Sequence, residues 1–206
     1  MALKKVLVTG AQGKAGRAIA QDLSDHGYEV VSVDLVRSVG GLPVSRVVDL
    51  TDLGQTVEVM EGCDGIVHMA AIPNDVIKPD SAMFSNNTLS TYNIFHAAAI
   101  RGVKNLVWAS SVTVLGPPFG NPPPNYVPVD EEHYPYANSH YALSKVVGEA
   151  MADQFFRWHG MSIQSFRIAN IMDEADYEMF SKLQKDPHQR KVSLWSYIDS
   201  RDLAQA

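Results

Sequence analysis

The feature that most constrains this chain is a glycine-rich turn between an apolar strand and a helix. Residues 6–8 are Val-Leu-Val and predict a short buried strand, and apolar spacing from Ala15 onward predicts a helix. Between them Gly10, Gly13 and Gly16 stand in the spacing G-x-x-G-x-x-G. Glycines allow a tight turn and a close approach of the backbone to a phosphate. This order favours a pyrophosphate site at the helix N-terminus, with a glycine turn in some other α/β fold as the alternative.

A carboxylate follows the second predicted strand, which covers residues 29–33. Asp34 ends that strand, 18 residues after Gly16. A carboxylate there accepts hydrogen bonds from the adenosine ribose hydroxyls and repels a 2′-phosphate. The pattern therefore favours NAD over NADP. Arg37 keeps NADP as the second choice, although a solvated surface arginine is the simpler interpretation.

Composition indicates one soluble globular domain. The 206 residues are 46% hydrophobic and 19% charged, with a net charge of -6. No basic patch indicates a nucleic-acid partner. The single cysteine, Cys63, excludes an internal disulfide framework, and no metal site is expected. Because we find neither a signal peptide nor an apolar run that could span a bilayer, we expect no membrane association and a cytoplasmic location.

Strand-like and helix-like segments alternate along the chain, which predicts an α/β fold with a doubly wound parallel sheet. Ligands of such sheets bind outside the carboxyl ends of the strands. Five predicted strand ends are therefore expected to surround one cleft: Gly10, Asp34, Asp49, Ala70 and Ser110. Further strands are predicted over 46–48, 64–69, 105–109, 163–168 and 192–198, and helices over 51–60, 83–101, 138–158 and 174–183.

Three features between these elements bear on the site. Residues 116–128 contain six prolines and predict a stiff surface loop that forms a wall over the site. Asn87 lies in the long predicted helix, where asparagine is a mediocre helix former, so its amide is predicted to be functional. His68, at a strand end, is interpreted as a structural residue.

Ser111, Tyr141 and Lys145 form a set suited to hydride transfer. Tyr141 and Lys145 are four residues apart on one helix face. A tyrosine can take the proton of a carbinol if its pKa, normally about 10, is lowered, and a neighbouring ammonium together with the nicotinamide charge favours the phenolate. Lys145 can also hold the nicotinamide ribose, and Ser111 can donate a hydrogen bond to the substrate oxygen.

Together these motifs resemble the extended short-chain dehydrogenase/reductases of the NAD-dependent epimerase/dehydratase group, over nearly the whole chain. The resemblance implies a Rossmann domain with bound NAD, a triad of Ser111, Tyr141 and Lys145, and Asn87 as a fourth, supporting catalytic residue. The matching segments are V-T-G-A-Q-G-K-A-G from Val8, Asp34, D-L at Asp49, H-M-A-A at His68, Asn87, A-S-S-V at Ala109, Y-A-L-S-K at Tyr141, R-I-A-N at Arg167 and Y-I-D-S-R-D-L-A at Tyr197.

The resemblance also implies cofactor contacts along the turn and the strand ends, with Asp49 and Leu50 flanking the adenine. Members of the group are often dimers that pair two long helices from each subunit, so a homodimer is expected. The implied cofactor-binding residues are Gly10, Gln12, Gly13, Lys14, Ala15, Gly16, Asp34, Asp49, Leu50, Ala70, Ala71, Asn87, Tyr141, Lys145 and Ile168.

The resemblance to this group also divides the chain into two parts and indicates which of the group's reactions are not expected. Residues 1–170 are assigned to the NAD-binding domain, and 171–206 to a small, apparently truncated substrate-binding part. Leu115-Gly116 stands where many epimerases have Tyr-Gly. Dehydratases have Thr-Asp-Glu where this chain has Ser-Val-Thr at residues 111–113, so elimination of water is not expected.

The predicted function is NAD-dependent hydride transfer at a carbinol of a sugar or nucleotide sugar, as an epimerase or a net dehydrogenase. A uronate-type sugar-acid dehydrogenase is the alternative. A substrate carboxylate would then need an arginine, for which Arg167 and Arg190 are candidates, with neither assigned. A non-catalytic, NAD-sensing regulator is the alternative of another class. Such regulators commonly lack the tyrosine or the lysine, and this chain has both Tyr141 and Lys145.

Overall fold

Six parallel strands form the central sheet of the protein. The computed structural model describes residues 3–37, 45–73, 77–116, 123–180, 186, 188 and 196–206. The strands are β1 (Lys5–Thr9), β2 (Glu29–Asp34), β3 (Ser45–Val47), β4 (Gly65–His68), β5 (Asn105–Ser111) and β6 (Ser162–Ile168). Their order across the sheet is β3-β2-β1-β4-β5-β6, so the strand order reverses between β1 and β4. In such a sheet the reversal opens a crevice at the carboxyl ends of these two strands.

Helices connect the strands, and a second, two-stranded parallel sheet follows the first. The helices are α1 (Lys14–Asp25), α2 (Leu53–Val59), α3 (Asp80–Arg101), α4 (His140–His159), α5 (Glu174–Tyr177) and α6 (Ser200–Gln205), with a 3-10 turn at Val112–Leu115. The second sheet pairs β7 (Asn170–Met172) with β8 (Tyr197–Asp199). Among the described residues, no helix is long and apolar enough to cross a membrane.

The core has two parts because alternate residues of a strand face opposite sides of the sheet. Leu7 belongs to the larger cluster, which includes Phe95 of α3 and Phe155 of α4. Val6 and Val8 belong to a smaller cluster with residues of α1 and α6. The predicted α/β fold with a doubly wound parallel sheet is thereby confirmed.

The first and last residues of the helices and strands differ from the predicted ones mainly where a capping residue fixes the end of a helix. Helix α3 begins at Asp80, not at residue 83, because Pro79 precedes a first turn in which an acidic residue suits the helix dipole. The predicted helix over 174–183 ends at Tyr177, and residues 181–185 lie outside the described part. The last strand is Tyr197–Asp199, and residues 192–195 of its predicted range are also outside it.

Helix α4 packs unusually closely on β5. A Cβ atom on Gly148 would lie 2.4 Å from the indole ring of Trp108, and Trp108 is fully buried. One helical turn earlier, Lys145 places its ammonium 5.2 Å from the centroid of the same indole ring. The glycine therefore sets the depth at which α4 presents Tyr141 and Lys145 to the sheet.

A hydrogen-bonded chain joins the carboxyl ends of β1 and β4. The N–H of Ala70 donates to Thr9 Oγ1 at 3.2 Å, and Thr9 Oγ1 lies 2.7 Å from His68 Nδ1. Since the threonine oxygen accepts from Ala70, we assign its proton to the bond with Nδ1, which leaves His68 Nε2 to donate to Thr91 at 3.4 Å. Burial, with a smaller effect of Lys145, lowers the pKa of His68 to about 3. His68 is thus a neutral structural residue.

Gly148→Ala tests the contact between α4 and β5. We expect it to lower the free energy of unfolding by about 1–3 kcal/mol, because the new methyl group overpacks a filled core. Chemical denaturation measures the change. Gly54→Ala is the control, since this exposed glycine of α2 would meet only the Asp52 side chain. Equal stability of Gly148→Ala and the wild type would contradict the packing described.

The pH dependence of the stability of His68→Gln, compared with that of the wild type, tests whether the His68 ring is neutral. Below pH 6.5 the unfolded chain protonates His68, whereas the folded chain does so only near pH 3, so the wild type loses stability as pH falls through this range. The stability advantage of the wild type over His68→Gln should therefore shrink on acidification. His26→Gln is the control with the opposite sign, because Asp22 raises the pKa of the exposed His26. A His68 difference that stays constant from neutral to acidic pH would refute the assignment.

Candidate active site

The carboxyl ends of β1, β2 and β4 surround a cleft of about 180 Å³. Seven residues predicted to bind the cofactor line it, namely Gly10, Gly13, Asp34, Asp49, Leu50, Ala70 and Ala71. Asn86 and Ser90 of α3 complete one wall. The prediction that five strand ends meet at one cleft therefore holds for Gly10, Asp34, Asp49 and Ala70, whereas Ser110 does not line it.

The glycine-rich turn adopts a backbone path that side chains would prevent. Gly10 has a φ of +65°, and a Cβ atom there would lie 2.7 Å from the backbone nitrogen of Ala70. A Cβ atom on Gly16 would lie 2.1 Å from the carbonyl oxygen of Gly10. Gly13 is the N-cap of α1 without a side-chain capping bond, and the first turn holds no acidic residue. The N–H groups of that turn are therefore available to an anion, as a pyrophosphate requires.

Asp34 is held beside this turn by the backbone. Its Oδ2 accepts a hydrogen bond from the N–H of Gln12 at 2.9 Å. The side-chain nitrogen of Gln12 is buried and has no hydrogen-bond partner among the described residues. A fixed carboxylate next to an unused buried donor fits a ligand with hydroxyl and phosphate groups, such as a dinucleotide.

The segment that follows β3 is fixed by bonds of its own and by α3. Asp49 Oδ1 accepts from both the N–H and the hydroxyl of Thr51, at 2.9 and 2.7 Å. The carbonyl of Leu50 accepts from the side chain of Asn93 at 2.9 Å. Sequence reasoning missed Asn93, a buried polar residue of a helix that also buries Asn87, Ser90 and Thr91.

The side chain of Asn87 binds the backbone of Ile72. Asn87 lies far from the triad residues in sequence. Its Oδ1 accepts from the N–H of Ile72 at 2.8 Å, and its Nδ2 donates to the carbonyl of Ile72 at 3.0 Å. The amide thereby holds the segment that continues from Ala71 at the floor of the cleft. Its geometry is that of a positioning residue.

Four further residues predicted to bind the cofactor do not line the cleft, namely Lys14, Ala15, Gly16 and Ile168. Ala15 and Gly16 are buried in the first turn of α1. Lys14 turns its ammonium towards Asp176 of α5. Ile168 pairs in register with Ser111 and packs against the smaller core cluster, which contains residues of α1 and α6.

Ser111 and Tyr141 meet at the carboxyl end of β5, the strand next to β4. Ser111 Oγ accepts from the N–H and the hydroxyl of Thr113, at 3.2 and 2.9 Å. Its own proton is thus free for the hydrogen bond that it forms with Tyr141. Burial raises the pKa of the Tyr141 phenol, and the bond with Ser111 opposes that shift.

Lys145 is engaged differently from the sequence expectation. Its Nζ donates to the carbonyl of Ala109 at 2.6 Å and lies 5.5 Å from the ring centroid of Tyr141. Burial lowers the pKa of the ammonium to about 8. In the protein alone, burial of the phenol raises the pKa of Tyr141. The predicted shift towards the phenolate includes the charge of a bound nicotinamide.

A second polar cluster lies behind the triad on α4 and was not predicted. Glu149 accepts from Ser110 Oγ at 2.5 Å and from Nε and Nη2 of Arg167 at 3.0 and 2.9 Å. Arg167 also donates to the carbonyl of Glu131 at 3.2 Å. The guanidinium therefore binds protein partners, which argues against Arg167 as the candidate for a substrate carboxylate. Arg190, the other candidate, lies outside the described residues.

A larger cavity of about 870 Å³ lies along the edge strand β6. Glu149, Phe156 and Arg167 contribute to its lining, and no residue of the triad or of the predicted cofactor set does. Its size alone does not make it the site. The smaller cleft combines the uncapped helix, the fixed carboxylate and the adjoining triad.

Comparison with known proteins agrees with this geometry. The profile of the NAD-dependent epimerase/dehydratase family matches residues 6–206. An L-arabinose 1-dehydrogenase (NAD(P)(+)) of Haloferax volcanii is 32% identical over 82% of this chain and 68% of its own length. A uronate dehydrogenase of Pseudomonas syringae is 29% identical over 95% of this chain and 66% of its own length. The chain thus spans about two thirds of these relatives.

A solved UDP-galactose 4-epimerase has a similar structure. It superposes with a TM-score of 0.78 at 27% identity, over 98% of this chain and 69% of its own. The resemblance drawn from the motifs is therefore confirmed, and so is NAD as the cofactor that goes with it. The chain belongs to the NAD-dependent epimerase/dehydratase family.

Proposed function

We propose that this protein transfers hydride between bound NAD and a carbinol of a sugar or nucleotide sugar. The observation that carries the proposal is the meeting of Ser111, Tyr141 and Lys145 at the end of β5, beside a cleft suited to a dinucleotide. When bound there, the nicotinamide supplies the hydride acceptor. A regulator that only senses NAD would have no use for this set of three groups.

The triad residues have separate tasks in this proposal. Tyr141 takes the proton of the carbinol, and it must first lose its own proton against the effect of burial. The hydroxyl of Ser111, the ammonium of Lys145 and the positive charge of a bound nicotinamide all favour the phenolate. Since the pKa of Lys145 is about 8, its ammonium is largely charged at neutral pH.

The substrate class rests on the relatives and on one structural observation. The relatives are named for L-arabinose, uronates and UDP-galactose, so a sugar carbinol is common to them. Arg167, the described arginine that we considered for a substrate carboxylate, is occupied by Glu149. This favours a neutral sugar or a nucleotide sugar over a uronate.

Tyr141→Phe tests the proposed chemistry. NADH absorbance is followed with NAD and a panel of free sugars, uronic acids and UDP-sugars, and the sugar products are analysed. NADH accumulation identifies a dehydrogenase, and an isomerised sugar without NADH identifies an epimerase. For any substrate found, the variant should lose about 10²–10⁴-fold in turnover, since the general base is gone, and its dissociation constant for NAD should stay within about twofold.

Tyr92→Phe is the matched control, because Tyr92 is an exposed tyrosine of α3 outside the cleft and the triad. It should leave turnover unchanged. Turnover of Tyr141→Phe equal to that of the wild type would contradict the proposal. NAD binding without any reaction across the panel would instead favour the sensing regulator.

A further inference from the structure

The side chain of Lys14 joins the glycine-rich turn to the C-terminal segment. Lys14 is the first residue of α1 and directly follows the N-cap Gly13. Its ammonium hydrogen bonds to Asp176 Oδ2 and lies 3.9 Å from Asp173 Oδ1. That Asp173 oxygen is buried and has no hydrogen-bond partner among the described residues. Two carboxylates thus face one ammonium.

The same carboxylates hold α5 in place. Asp176 Oδ2 accepts from the N–H of Asp173 at 2.8 Å, which closes the first turn of the helix. The next residue, Tyr177, donates to Asp199 Oδ2 at 2.5 Å. Asp199 also accepts from Nε of Arg201 at 2.9 Å. A continuous polar chain therefore runs from the turn through α5 to β8 and α6.

A pyrophosphate bound at the N-terminus of α1 would compete with Asp173 and Asp176 for the ammonium of Lys14, because Lys14 is the first residue of that helix. The N-terminus of α1 has neither a side-chain cap nor an acidic residue in its first turn, which suits a pyrophosphate. A lysine at the first helical position carries a mobile charge on a flexible four-carbon stem, and such a charge binds phosphate well. The pyrophosphate of a dinucleotide carries two negative charges, as many as Asp173 and Asp176 together, so it can compete with them for the ammonium at this exposed contact.

We propose that the Lys14 side chain binds the cofactor pyrophosphate in competition with Asp173 and Asp176, so that cofactor binding releases α5 from the glycine-rich turn. The proposal rests on the NAD site of the proposed function. It assigns to Lys14 a side-chain role beyond the backbone contact that the turn implies. It also makes α5, in the segment 171–206 expected to contact substrate, responsive to the cofactor.

Calorimetric titration of NAD, ADP and adenosine tests this competition. Asp176→Asn keeps an acceptor for the N–H of Asp173 but removes the charge, so it should tighten NAD and ADP about two- to fivefold, as an exposed ion pair allows. Lys14→Met should weaken both by a similar factor. The double variant should bind NAD like Lys14→Met, and adenosine, which has no phosphate, should bind all variants equally.

Two further variants keep the test decisive. Asp173→Asn should act in the same direction as Asp176→Asn, since both carboxylates contact one ammonium. Glu174→Gln removes the same charge from the same helix and should leave the NAD dissociation constant unchanged. Circular dichroism confirms that each variant is folded.

The proposal is overturned if Asp176→Asn leaves NAD affinity unchanged or weakens it. It is also overturned if Asp176→Asn tightens NAD equally with and without Lys14, because the effect would then not pass through the ammonium. Failure of the wild type to bind NAD would overturn the cofactor site itself as well. Normal NAD binding by the wild type with no difference among the variants would overturn the competition alone.

Discussion

The contact between the backbone of Gly10 and the end of β4 is the constraint on which the site depends. A methyl group on Gly10 would lie 2.7 Å from the nitrogen of Ala70, and one on Gly16 would lie 2.1 Å from the carbonyl of Gly10. These approaches bring β1, β4 and α1 together where the strand order reverses. The chain through Thr9 and His68 then satisfies the buried polar groups beside the contact. Without that approach, the uncapped helix and the carboxylate of Asp34 would not face one cleft.

The second half of the site depends on how α4 lies on β5. Gly148 admits Trp108, and the indole ring together with the Ala109 carbonyl holds the ammonium of Lys145. In the protein alone, Tyr141 is thus a half-buried, protonated phenol, and the Ser111 side chain opposes the effect of burial on its pKa. The three groups are positioned for proton transfer, but the Tyr141 phenol is still protonated and must become a phenolate before it can accept a proton. A bound nicotinamide cation would complete the electrostatics that this chain's own residues leave unfinished.

The sequence pattern predicted those parts of the structure that depend on residues close together in the chain. The turn from β1 to α1, Asp34 at the end of β2 and the shared face of Tyr141 and Lys145 follow from glycine, strand and helix spacing. The bonds of Asn93 to Leu50 and of Lys145 to Ala109 could not be predicted, because they join elements far apart in sequence. The contact of Lys14 with Asp176 spans 162 residues. The burial that raises the pKa of Tyr141 could not be predicted either, because it depends on packing, which residue spacing does not reveal.

The measurement that tests the account most directly is the affinity of the wild type and Gly13→Val for NAD, by titration calorimetry. Gly13 has φ -74° and ψ 166°, which valine can adopt, but a Cβ atom there would lie 3.3 Å from the carbonyl oxygen of Gly10, so circular dichroism must first establish that the variant is folded. Its side chain would stand where the pyrophosphate meets α1. The account predicts that the wild type binds NAD more tightly than NADP, and that Gly13→Val binds NAD at least about tenfold more weakly, a loss of roughly 1.4 kcal/mol. Equal NAD affinity of a folded Gly13→Val and the wild type would contradict it.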